Sequence, residues 1–218
     1  MSILASALIS LLQLTGVEAA QAEQLRLNNC IQRIETDPEG AYEDGLTWSF
    51  EGNRPGARYC TALSLIALDQ PGEGAARLES LANATDSGNL AERAIYLAQA
   101  GNAWINAGAP EAAVIALTNA LKLTPRDTAI LKDRASAHML LQDWGKAQVD
   151  LDTVISSQSS DAEALRMRAS VHRNLENLQS ALTDIKAAMA ADPQNIDTLV
   201  LRGEIREDIR KSELIQLD

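Results

Sequence analysis

The stretch that decides the fold runs from Thr128 to Asn195. Set in two rows of 34 residues, it reads TAILKDRASAHMLLQDWGKAQVDLDTVISSQSSD (128–161) and AEALRMRASVHRNLENLQSALTDIKAAMAADPQN (162–195), and the rows align without a gap. Residues 94–127 align in front of them at the same period. The fourth position is Leu97, Leu131 and Leu165, the eighth Gly101, Ala135 and Ala169, and the twentieth Ala113, Ala147 and Ala181. The twenty-fourth is Leu117, Leu151 and Ile185, and the twenty-seventh Ala120, Val154 and Ala188. Small residues recur where helices must approach closely, with bulky apolar groups between them. Each row reads as two amphipathic helices joined by a tight turn. In the last row Asp161 caps Ala162 to Asn174, and Leu178 to Ala191 ends at Asp192-Pro193. Neither helix can bury its apolar stripe alone, so the unit must be stacked on copies of itself.

These offsets match the tetratricopeptide repeat, and the chain resembles that family. Pro125 and Pro193 fill the family's Pro position and Ser159 does not. The resemblance implies an all-α protein: a right-handed α-solenoid of stacked antiparallel helix pairs, with the first helix of each pair lining the inner surface. Residues 196–218 continue the pattern for one helix, with Leu199 and Gly203 at the fourth and eighth positions. They then turn charged through Arg206, Glu207, Asp208, Arg210 and Lys211, as a C-terminal capping helix does where the array meets solvent. Residues 23–93 read as degenerate repeats. Asp37-Pro38-Glu39-Gly40-Ala41 parallels Ala109-Pro110-Glu111-Ala112-Ala113, with Pro in the first turn of a second helix. Arg58 to Leu68 and Glu73 to Asn83 form another pair around a turn at residues 70–74, giving five helix pairs and a cap.

Composition agrees. Ala (36) and Leu (30) dominate the 218 residues, whereas aromatic side chains number 7 and Gly plus Pro 18, a mixture that favours helix over strand. With 19 basic against 30 acidic side chains the net charge is −11, which disfavours nucleic acid and anionic lipid as partners.

Ile3 to Leu14 form an apolar run followed by Ala19-Ala20-Gln21-Ala22. Residues 1–22 read as a signal peptide cut before Glu23, although no Lys or Arg precedes the run. The alternative is a buried first helix. The run is too short to span a bilayer, so no stable membrane span is expected after cleavage. Likeness of the repeats and short signal to exported bacterial proteins implies a periplasmic location. Cys30 and Cys60 are the only cysteines. Their spacing fits neither a metal site nor a redox pair. They lie on helices expected to stack side by side, so a disulfide is plausible, with two buried thiols as the alternative.

No chemistry of catalysis is legible. His138 and His172 are the only histidines, and both occupy the eleventh position, where Trp104 stands one unit earlier. They read as packing groups, with no Cys or carboxylate cluster to complete a metal site. Phosphate loops, G-x-S-x-G and H-E-x-x-H are absent from the sequence, so neither an enzyme nor a cofactor is expected. Arg134, Arg168 and Arg202 recur at the seventh position, and Asp150 and Asp184 at the twenty-third, suggesting a ladder of Arg–carboxylate contacts between stacked helices.

The family resemblance implies that the inner surface is the working face. In this chain it comprises Asn102, Ile105 and Asn106, then Lys132, Ser136, Met139 and Leu140, then Arg166, Ser170, Arg173 and Asn174. Such a groove suits an extended peptide or a helix held through amides and one or two charge-assisted bonds. The carboxylate clamp with which chaperone adaptors of the family hold an acidic C-terminus is not reproduced. Asn102 matches, but Ala98, Asp133, Glu163 and Met167 replace the clamp residues. The expected function is a non-catalytic scaffold that binds a protein or peptide in the cell envelope. The competing expectation is a structural subunit of an envelope complex.

Overall fold

The structure, a computed structural model, describes residues 2–215, with side chains from Gly16 to Leu214. Its elements are α1 (Ser2–Ile34), α2 (Pro38–Phe50), α3 (Pro55–Ala67), α4 (Pro71–Asn83), α5 (Leu90–Asn106), α6 (Pro110–Leu123), α7 (Thr128–Leu140), α8 (Trp144–Ser157), α9 (Ala162–Asn174), α10 (Leu178–Ala191) and α11 (Ile196–Ile215). There is no strand among the described residues. The fold is an all-α solenoid of successive helix pairs. It divides into two compact units, Met1–Ala107 and Gly108–Asp218. Of the expected signal peptide, Met1 and the side chains of residues 2–15 lie outside the described residues.

The helix ends follow local chemistry. Pro38, Pro55, Pro71 and Pro110 each begin a helix, where the missing N–H costs nothing. For that reason α3 and α4 begin three and two residues before the expected Arg58 and Glu73. Asp127 Oδ1 accepts the amides of Ala129 and Ile130 at 3.0 and 3.2 Å, and Asp161 Oδ1 that of Ala164 at 2.9 Å. Asn89 and Glu92 form a reciprocal capping box at the start of α5.

The turns within helix pairs share one backbone device. Asp69, Gln142 and Glu176 have φ of 61, 57 and 60°, and Gly108 has 71° at the equivalent place. The residue that follows donates its amide back across the helix end: Asp143 N to His138 O and Asn177 N to His172 O, both at 2.8 Å. This satisfies carbonyls that the last helical turn leaves open.

In the first unit, Cys30 and Cys60 form a disulfide with Cα atoms 6.0 Å apart. The bridge sits in a cluster with Ala41, Trp48 and Ala57, against which Leu27 and Ile34 pack. Arg26 reaches Glu51 and lies 4.9 Å above the Trp48 ring, Arg33 binds Asp37 and Asp44, and Arg54 binds Glu23 at 2.7 Å. Beyond the bridge, a Cβ on Gly74 would stand 2.8 Å from the Ala62 carbonyl oxygen. Gly74 therefore lets α3 and α4 close at a point where later pairs use Ala.

In the second unit the periodic positions supply the core. Ala113, Leu117, Ala147, Leu151, Val154, Ala181, Ile185 and Ala188 are fully buried. His138 is buried too, consistent with its reading as a packing residue.

Candidate partner-binding face

The inner-face candidates of α7 and α9 meet around a cleft of about 390 Å³ lined by Lys132, Ser136, Met139, Glu163, Arg166 and Met167, among others. They converge because positions five, nine and twelve of a first helix share one stripe and α7 and α9 present that stripe one repeat apart. Lys132 is not free to meet a ligand carboxylate. Its Nζ lies 3.1 Å from Asp161 and 2.6 Å from Glu163. Burial works to lower the Lys132 pKa, but the hydrogen bonds it donates to Glu163 and Asp161 outweigh it and raise the pKa. Arg166 lines the same cleft half-buried, with no hydrogen bond or ion pair to another described residue.

The remaining candidates fall elsewhere. Arg173 is engaged by α11: its Nε donates to Asp208 at 2.6 Å and its Nη1 to Glu204. These contacts border a separate cleft of about 810 Å³ shared with Leu178, Ile209 and Ser212. Asn174 Nδ2 donates to the Ser170 carbonyl at 2.9 Å on the exposed side of α9. Leu140 is exposed at the end of α7. Asn102 and Asn106 are exposed and Ile105 half-buried on α5 of the first unit.

The Arg–Asp ladder forms two rungs. Arg134 grips Asp150 at 2.8 and 2.6 Å, and Arg168 grips Asp184 at 2.8 Å through both nitrogens. These paired bonds join the two helices of one repeat. Only the remaining guanidinium nitrogen reaches back to the preceding repeat, Arg134 to Thr118 at 3.2 Å and Arg168 to Asp152 at 2.7 Å. The paired bonds to Asp150 and Asp184 raise the pKa of each arginine. Arg202 has no such rung, and its Nη1 lies 3.3 Å from Met189 Sδ.

Two equivalent clefts flank these rungs on α6 to α10. One, of about 590 Å³, holds Arg134, His138 and Asp150; the other, of about 460 Å³, holds Arg168, His172 and Asp184. Burial lowers the His138 pKa, so the ring is held neutral. His172 Nε2 stands 3.6 Å from Asp184. Among the described residues no group of three or more His, Cys, Asp or Glu is placed to hold a metal ion.

Sequence reasoning missed Asp161 as a partner of Lys132. The signal was there in principle, because Asp161 is the N-cap of α9 and sits at the mouth of the stripe.

No family model and no curated protein sequence matches the chain. Solved structures do. A thermophilic TPR protein from Thermus thermophilus superposes with a TM-score of 0.56 at 20% identity, covering 84% of this chain and 98% of that one. MamA 41-end from Desulfovibrio magneticus RS-1 gives 0.60 at 18% identity, covering 76% and 96%. The first TPR of Spaghetti (RPAP3) bound to HSP90 peptide SRMEEVD gives 0.52 at 21% identity, covering 54% and 93%. The chain thus has the fold of tetratricopeptide repeat proteins.

Proposed function

We propose that this chain is a member of the tetratricopeptide repeat family that acts as a non-catalytic adaptor in the cell envelope. It holds a protein segment against the inner face of α7 and α9. The observation that carries this reading is the division of labour in the cleft. Lys132 is already paired with Asp161 and Glu163, while the unpaired Arg166 is left for a ligand beside the thioethers of Met139 and Met167. A guanidinium next to soft apolar side chains suits an extended peptide with a carboxylate followed by an aliphatic or aromatic residue. A peptide bound to the RPAP3 repeat domain supports the mode of action. The clamp chemistry is not carried over, because Glu163 and Met167 stand where basic residues are needed.

Export to an oxidising compartment is part of the reading. It is supported by the apolar run at residues 3–14 and the Cys30–Cys60 bridge. It is supported too by Glu23, the residue that the expected cut makes the new N-terminus, which pairs with Arg54. Among the described residues no helix is long and apolar enough to cross a membrane.

The test is site-specific photo-crosslinking in envelope preparations, from Met139 in the cleft and from Thr153 on the exposed side of α8. A band that forms from position 139 and is lost in Arg166→Glu supports the adaptor. Capture from position 153 alone, indifferent to Arg166→Glu, refutes it. N-terminal sequencing of the same material reads from Glu23 if the leader is removed as proposed, and from a residue upstream of it if it is not.

A further inference from the structure

α11 opens with the residues that seat a second helix in the two preceding repeats. Leu131-x-x-Arg134-Ala135 and Leu165-x-x-Arg168-Ala169 recur as Leu199-x-x-Arg202-Gly203. In the first two the seat is filled: Leu131 and Leu165 are 4% exposed and Ala135 and Ala169 fully buried. Ala169 packs in one cluster with Ala181 and Ile185 of α10, and the arginines grip Asp150 and Asp184. In α11 the same seat is open. Leu199 is 40% exposed, and a Cβ placed on Gly203 meets nothing within 4 Å. Ile196 and Val200 beside them are exposed as well. The opposite face of α11 is used, with Ile205 buried against Ala181 and Ile185. α11 is therefore a first helix packed on one side only, and Arg202 rests against a thioether where its counterparts hold a carboxylate.

We propose that this open face docks an amphipathic helix supplied in trans by another protein, recognised by the pattern Ala-x-x-Asp-(Leu/Ile)-x-x-(Ala/Val). That pattern is what the seat receives in both complete repeats, as Ala147, Asp150, Leu151 and Val154 and as Ala181, Asp184, Ile185 and Ala188. The incoming Asp closes on Arg202, its bulky neighbour covers Leu199, and the first small residue lies over Gly203. A second copy of this chain does not fit the role. Both of its copies of the pattern have their apolar members fully buried, and two chains of net charge −11 repel one another.

The probe is a fluorescent peptide of residues 178–191, added to the full-length protein and followed by anisotropy. Saturable binding is expected. It should weaken at least tenfold with Asp184→Ala in the peptide or Leu199→Glu in the protein, and the swapped pair, Arg202→Asp with peptide Asp184→Arg, should recover it. Helical melting curves verify that both protein variants remain folded. Three outcomes overturn the proposal: no saturable binding, affinity unchanged by Leu199→Glu, or a sedimentation dimer that Leu199→Glu converts to monomer. The last would assign the face to a second copy. None of these results depends on the α7–α9 cleft.

Discussion

Arg168 and Asp184 are joined by two parallel hydrogen bonds of 2.8 Å between the two helices of one repeat, with the carboxylate almost wholly buried. A third bond, from Arg168 to Asp152, ties that repeat to the one before it. One side chain thus fixes both the hairpin and its stacking. Removing it takes both hydrogen bonds from a buried carboxylate, which is far costlier than losing a surface pair. Arg168→Ala should destabilise the protein by about 3 kcal/mol in urea unfolding. Arg202→Ala, which breaks no carboxylate contact, should cost less than about 0.5 kcal/mol. A coupling energy near zero in the Arg168/Asp184 double-mutant cycle would show that the bonds carry no stability.

His138 supplies a pH dependence whose sign follows from its burial. Its pKa in the folded chain lies below the ordinary value of 6.5, so the fold favours the neutral ring. The associated stability is fully present above pH 6.5 and is lost as the pH falls towards the folded pKa, where the unfolded chain takes up a proton first. His138→Phe, an aromatic at a position filled by Trp104 in another repeat, should flatten the stability curve below pH 6.5. A variant with the wild-type slope in that window would place the pH dependence on other groups.

The Cys30–Cys60 bridge closes a loop at a sequence separation of 30, for which the chain-entropy relation gives about 3 to 4 kcal/mol. Replacing both cysteines by Ser should lower the melting temperature of the first unit and leave the second unit's transition in place. Calorimetry resolves the two. A uniform downward shift of both transitions would mean that the units unfold as one.

The left-handed residues of the turns offer a gain. Gln142 and Glu176 hold φ values of 57 and 60°, a region that costs a side chain about 1–2 kcal/mol and costs glycine almost nothing. Gln142→Gly and Glu176→Gly should each stabilise the fold by about 0.5–1 kcal/mol in chemical denaturation, offset in part by the freer unfolded chain. Loss of stability in both would mean that these side chains contribute contacts that outweigh the strain.

The period of 34 made the helix pairs from α7 to α10 readable residue by residue, because Leu, Ala and Asp recur at offsets set by helix geometry. Asp161 as a cap and His138 as a packing residue were legible for the same reason. The early helices were blurred where the pattern decays, and α3 and α4 begin further back because Pro55 and Pro71 serve as first helical residues. Charge partnership was the least legible property. Lys132, Arg166 and Arg173 look alike as inner-face cations, yet Lys132 is taken by Asp161 and Glu163, and Arg173 by Glu204 and Asp208. Those carboxylates belong to neighbouring helices, and only the packing angle decides which cation they reach. The rungs of the ladder were foreseeable as pairs, but their placement inside a repeat rather than between repeats was not.

Trp48 is buried in the same cluster as the Cys30–Cys60 sulfurs. An indole held that close to a disulfide loses part of its excited-state energy by electron transfer to the sulfur pair, so the chain carries its own optical gauge of oxidation. Emission should brighten when the bridge is cut, before the helices themselves have melted.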